Sequence, residues 1–179
     1  MQSEYYAGNR RRLYERLSEG DLLVIFSGDE IWKTGDEMFP FFADRNFVYL
    51  TGLTCRSAVL LAGVDCRGAA WERLYLLAPD AMAERWTGTR VKPKEAEAIS
   101  GVKDIRLLPE LDRDLNALAT SGNYNRLMLD LYRFSPAQPD RANGRCRTRR
   151  AAQRIPSRIG RKAPPAPGPA HSRRRAGPY

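Results

Sequence analysis

Beyond Asp140 the chain contains no Asp and no Glu, and this break limits how much of it can build a core. Residues 141–179 carry twelve Lys and Arg, six of the 12 prolines and His171, the only histidine. The whole sequence has 30 basic and 21 acidic residues, a net of +9. Removing the twelve tail cations leaves 18 basic against 21 acidic residues over 1–140, a net of −3. The tail is built from Arg, Ala, Pro, Gly and Ser, with Ile155 and Ile159 almost its only large apolar residues. Such a segment buries too little surface to offset its ordering entropy, so it is expected to be disordered. The chain therefore divides into a folding unit, 1–139, and a basic tail, 140–179.

The first part is long enough for one domain with a real core. Residues 22–26 (Leu-Leu-Val-Ile-Phe) form a continuous apolar run, the mark of a strand covered on both faces. A helix is expected over 4–19, with Tyr6, Arg10, Leu13 and Leu17 at helical spacing and Gly20 as its stop. Strands are expected over 46–51, 58–64 and 73–78, the last two joined as a hairpin through turn residues 65–68. Phe47 and Tyr49 then share one strand face by period two and are expected in the core. The connecting stretch 29–45 holds Trp32, Phe39, Phe41 and Phe42, which is too aromatic for a plain solvated loop. A short helix over 94–100 ends at Gly101, and a strand follows at 104–108. Pro109 opens a helix to about 119, with Leu111, Leu115 and Leu118 on one side. A final strand spans 126–131. A mixed sheet with helices against its faces, an α/β fold, buries these stripes.

Several function classes are excluded. No run of 18 or more apolar residues occurs, so no membrane span is expected, and the first residues lack the pattern of a secretory signal. Cys55, Cys66 and Cys146 are odd in number and form no C-x-x-C pair, which supports neither a disulfide framework nor a thiolate zinc site. A reduced, cytoplasmic setting fits, with Cys55 and Cys66 as small buried residues. Gly28, Gly35 and Gly63 do not have phosphate-loop spacing, and no H-E-x-x-H occurs.

Residues 40–53 read Pro-Phe-Phe-Ala-Asp-Arg-Asn-Phe-Val-Tyr-Leu-Thr-Gly-Leu. With Asn9-Arg10-Arg11-Arg12-Leu13, the apolar strand ending at Gly28, and Trp86-Thr87-Gly88-Thr89-Arg90, this set resembles the N-terminal domain of aminopeptidase P (Xaa-Pro aminopeptidase, creatinase/prolidase superfamily). The resemblance covers about residues 4–139. It implies a mixed sheet flanked by helices, of the ribonuclease-H-like kind. It also implies a domain that precedes a "pita-bread" metallopeptidase domain, shapes the entrance to its active site and helps build a homo-oligomer. In the full-length family the second domain holds two divalent metals, usually manganese, on two aspartates, a histidine and two glutamates. They activate the water that attacks the peptide bond before proline.

No metal ligand and no catalytic residue carries over to this chain, because no acid follows Asp140 and His171 is the only imidazole. The expectation is a non-catalytic domain, inactive alone, with no cofactor of its own and with peptide substrate only in the full-length family. The resemblance implies substrate-entrance roles for Asp44, Asn46, Trp86 and Arg90. Each has a structural alternative: Asp44 and Asn46 as a turn-and-cap pair, which is favoured; Trp86 as simple packing, with both readings open; Arg90 as an ion-pair partner, favoured over an anion contact.

The tail has three readings. Arg145, Arg147, Arg149, Arg150, Arg173, Arg174 and Arg175 suit a nucleic-acid arm, but only Tyr179 is available for base stacking, which disfavours it. A basic linker is the second. The third, which the composition favours, is a reading-frame shift near residue 140: Arg, Ala, Pro and Gly are what GC-rich codons yield out of frame. Residues 134–140 still resemble the family's linker, placing the break just after it. On this reading the protein is a truncated or frame-shifted Xaa-Pro aminopeptidase; the alternatives are an oligomerisation or interaction module, or a nucleic-acid binder.

Overall fold

The structure, a computed structural model, describes residues 2–31, 33–35, 37–129 and 160–162. Helix α1 (Gln2–Tyr14) leads into strand β1 (Asp21–Phe26), helix α2 (Arg45–Thr51) and the hairpin β2 (Val59–Val64) and β3 (Ala70–Leu76). Helices α3 (Ala81–Thr87) and α4 (Pro93–Ser100) follow, then β4 (Ile105–Leu107), a 3-10 turn (Leu108–Glu110), α5 (Leu111–Thr120) and β5 (Arg126–Leu129). A short strand β6 (Gly160–Lys162) completes one mixed sheet in the order β4-β3-β2-β1-β5-β6. The β1–β2 and β2–β3 pairs are antiparallel; β3–β4, β1–β5 and β5–β6 are parallel.

The apolar run in β1 explains the layering. Side chains alternate across a strand, so Leu22, Val24 and Phe26 join Leu61, Tyr75, Leu127 and the α5 residues Leu111 and Leu115. Leu23 and Ile25 point the other way, into a second core with Phe47, Leu50, Leu60, Leu74, Ala96 and Val102. All six β1 residues are buried. Fully burying one such aliphatic side chain stabilises by about 1.5–3 kcal/mol, so a solvated face here would be untenable.

Arg10 ties the helices of the second layer to the sheet. It is 1% exposed. Its Nε and Nη2 donate to Glu72 of β3 at 2.7 and 3.0 Å, and its Nη1 donates to the carbonyls of Leu50 and Ser100 at 2.7 and 2.8 Å. Those carbonyls end α2 and α4, where helical partners run out and positive charge is favoured. Asn9 adds a bond from Nδ2 to the Tyr49 carbonyl at 2.7 Å. The Asn-Arg-Arg-x-Leu segment is thus a structural clamp.

Residues 46–51 are helix, not the expected strand. Asp44 Oδ1 accepts from the backbone N–H of Asn46 at 2.8 Å and of Phe47 at 3.4 Å, an N-cap. Gly52 closes the helix at φ +72°, where its N–H donates to the Val48 carbonyl. Helical spacing puts Phe47, Leu50 and Thr51 on the buried side and leaves Tyr49 47% exposed, so the pairing of Phe47 with Tyr49 in the core is corrected. α3 lies in a stretch for which no element was expected; Asp80 caps it, accepting from the N–H groups of Met82 and Ala83. α1 ends at Tyr14, short of residue 19. β3 begins at Ala70, three residues early. Cys66 is exposed rather than buried, and Cys55 is half-buried. Trp32, Cys146, His171, the end of the last expected strand and the tail apart from Gly160–Lys162 lie outside the described residues. Among the described residues no helix is long and apolar enough to cross a membrane.

Candidate functional site

Four segments meet at the end of the sheet where β3 finishes and enclose a cavity of about 250 Å³. The loop after β1 contributes Glu30 and Phe41, and the α2–β2 loop contributes Thr54, Cys55 and Arg56. The end of β3 supplies Leu76 and Leu77, and the chain leaving α3 supplies Thr87 to Val91. The Asp80 cap and Gly88 at φ +82° fix where α3 starts and stops, and so where Arg90 enters the wall.

Arg90 is held by two contacts of different strength. Its Nη1 donates to the Ala78 carbonyl, and its Nη2 lies 3.7 Å from Asp80 Oδ2, an ion pair too long for a hydrogen bond. Arg90 Nε is the one buried side-chain nitrogen or oxygen without a hydrogen-bond partner among the described residues. Arg56 and Glu30 form an ion pair elsewhere in the wall. Burial pushes the Cys55 thiol up to about 11, so it stays protonated at neutral pH and is not a nucleophile there.

The expected entrance residues separate in space. Arg90 is in the cavity wall, and Trp86, one residue before the wall segment, is 85% exposed. Asp44 is the α2 cap and Asn46 sits exposed in the first turn of α2; neither lines the cavity, although Phe41 of the same loop does. Ile31 (68% exposed) and Phe42 (76%) are next in sequence to the wall residues Glu30 and Phe41, and Met82 (69%) lies on the helix that ends in the wall residue Thr87. Sequence reasoning missed Glu30, Thr54, Arg56 and the end of β3. They come from segments far apart in the chain, and only the Trp-x-Gly-x-Arg motif marked the place.

Several carboxylates of the sheet and its flanking helices are paired with arginines. Arg10 holds Glu72, and Arg126 holds Asp21. Arg73 and Arg106 share Asp104 and Asp114, and the Tyr75 hydroxyl donates to Asp114 at 2.8 Å. Among the described residues no three His, Cys, Asp or Glu side chains group so that they could hold a metal ion. The manganese pair implied for the full-length family therefore does not fit the described residues.

A sequence model of the aminopeptidase P N-terminal domain matches residues 6–127. The chain belongs to the aminopeptidase P N-terminal domain family. Among its relatives is a Haemophilus influenzae Xaa-Pro aminopeptidase, 27% identical over 125 residues, covering 66% of this chain and 29% of that protein. The Escherichia coli Xaa-Pro aminopeptidase is 27% identical over 109 residues, covering 61% of this chain and 25% of that protein. A Bacillus anthracis structure described as an aminopeptidase P superposes with a TM-score of 0.74 at 23% identity, over 91% of this chain and 38% of its own. Escherichia coli aminopeptidase P with the inhibitor Pro-Leu gives 0.64 at 23% identity, over 72% and 29%. At that identity the structures speak for the fold alone. The chain spans between a quarter and a third of the length of the curated relatives it matches. The aminopeptidase P N-terminal fold accounts for the layered mixed sheet and for the order of the motifs along it.

Proposed function

We propose that this chain acts as the non-catalytic N-terminal domain of a Xaa-Pro aminopeptidase, presenting an entrance surface to peptide substrate rather than cleaving it. The observation that carries the reading is the apolar rim. Trp86, Phe42, Met82 and Ile31 are exposed and adjoin, in sequence or on the same helix, residues that line one cavity with Arg90 in its wall. Exposed apolar groups clustered in this way mark a contact surface. In an assembled enzyme Trp86 packs against substrate or against the neighbouring subunit, while Asp44 and Asn46 fix the loop carrying Phe41 and Phe42. The metal chemistry belongs to the separate domain that full-length relatives carry. A reducing, cytoplasmic setting is in keeping with Cys55 and Cys66, both unpaired among the described residues.

The experiment is direct. The purified chain, supplied with manganese and an Xaa-Pro peptide, is expected to release no N-terminal residue; manganese-dependent hydrolysis would overturn the reading. Size-exclusion chromatography tests the rim. Self-association, or co-elution with an intact Xaa-Pro aminopeptidase, is expected, and it is expected to weaken in Trp86→Ser. A chain that stays monomeric both alone and in the mixture removes the rim's contact role.

A further inference from the structure

We infer that the cavity behind Arg90 is a binding site for a small monocarboxylate with an apolar body, its carboxylate held side-on by Nε and Nη2 of Arg90. This goes beyond the entrance role: it needs only this domain, and its failure leaves the reading of the apolar rim standing.

The guanidinium supplies the first argument. Its Nη1 is spent on the Ala78 carbonyl, but among the described residues Nε has no partner and Nη2 only the distant Asp80. Asp80 is anchored by its Oδ1, which caps α3, and only its Oδ2 faces Arg90, beyond hydrogen-bond reach. Buried donors on charged groups are rarely left unmade, because desolvating them is costly. The free edge, Nε with Nη2, is the planar fork that matches a carboxylate with two parallel bonds. Nε is closed to solvent in this state, so its acceptor arrives only as the Thr87–Val91 wall yields. The proposed hinge is Gly88, which has a positive φ and open space around its Cβ position.

The wall selects the rest of the ligand. Phe41, Leu76, Leu77 and Val91 make one side apolar. Glu30 answers Arg56, which leaves Arg90, among the described wall residues, as the cation with donors to spare and disfavours a dianion such as phosphate. A volume of about 250 Å³ is below the usual range for drug-sized ligands and suits an acid of amino-acid size. Such a carboxylate comes either from a free acid or from the C-terminus of a peptide.

The test uses the isotope-labelled full chain and reads the Arg90 Nε–H resonance by NMR, with affinity from calorimetry. The probes are isocaproate and N-acetyl-leucine, each against its amide. Either acid is expected to shift the Nε–H signal, with the amide binding at least about tenfold more weakly, roughly 1.4 kcal/mol. Arg90→Gln, checked for folding by circular dichroism, is expected to lose binding. Preference for N-acetyl-leucine supports a peptide C-terminus and preference for isocaproate a free acid. No response to either acid at millimolar concentration, equal binding of acid and amide, or an Nε proton exchanging freely with water as its acceptor would overturn the site. The resonance is read on the unmodified chain, so a variant that fails to fold does not shield the proposal.

Discussion

Arg10 shows how one charged side chain comes to lie in a core. Its bidentate bond to Glu72 and its two helix-end carbonyls satisfy most of the donors that burial strips of water. Removing it leaves Glu72 and the ends of α2 and α4 unanswered. Arg10→Ala is therefore expected to destabilise the domain by about 3–5 kcal/mol, read from the urea midpoint. The exposed Arg11, next to it in the same motif, is expected to stay within about 0.5 kcal/mol on the same substitution. Gly52 is the second residue whose identity is dictated locally. At φ +72°, a Cβ there would collide with the Tyr6 ring. Gly52→Ala is expected to cost about 1–3 kcal/mol in backbone strain plus the clash. Adding Tyr6→Ala to the variant is expected to recover the clash but not the strain, which a double-mutant cycle in thermal denaturation will separate.

At the scale of elements, α2 carries the sharpest discrimination. In a strand, Phe47 and Tyr49 would share a face and both would matter; in the observed helix only Phe47 is buried. Phe47→Ala is expected to cost about 3–5 kcal/mol, and Tyr49→Ser far less, by chemical denaturation. Equal losses at the two positions would contradict the helix. The misreading has a physical source. Six residues with apolar side chains at 47, 48 and 50 satisfy either period, and burial of a short run does not choose between them. The deciding signals were the Asp44 cap and the left-handed Gly52, both present in the sequence but equally readable as the ends of a strand. β1 was legible because five consecutive apolar residues leave no polar face for any single-sided element. Trp86 and Arg90 were legible as a motif. The cavity was not, because its wall is assembled from the ends of elements that only the sheet order brings together.

For the whole molecule, acid is expected to act first on the carboxylates that join β3, β4 and α5. Burial pushes Asp114 upward, but the Tyr75 hydroxyl and the Arg113 and Arg106 guanidiniums outweigh it and hold the carboxyl below its ordinary value. Asp104 is likewise lowered on balance, burial being outweighed by Arg73 and Arg106. A depressed folded value means that this stabilisation is fully present above the ordinary carboxylate range, near pH 4, and is lost as pH falls through the folded value. The thermal midpoint is expected to hold from neutral pH to about 4 and to drop below it. In Asp114→Asn the midpoint is expected to be lower at neutral pH and its acid slope shallower. The sheet order has another consequence, for the nascent chain. β1 is the strand on which both cores rest, yet one of its two neighbours, β5, lies about a hundred residues downstream, where Arg126 closes on Asp21. At roughly 5–20 residues added per second, the ribosome leaves that flank of β1 open for several seconds. During that interval a strand that ends up buried on both faces presents an unpaired edge, and this is when a holding chaperone would matter most.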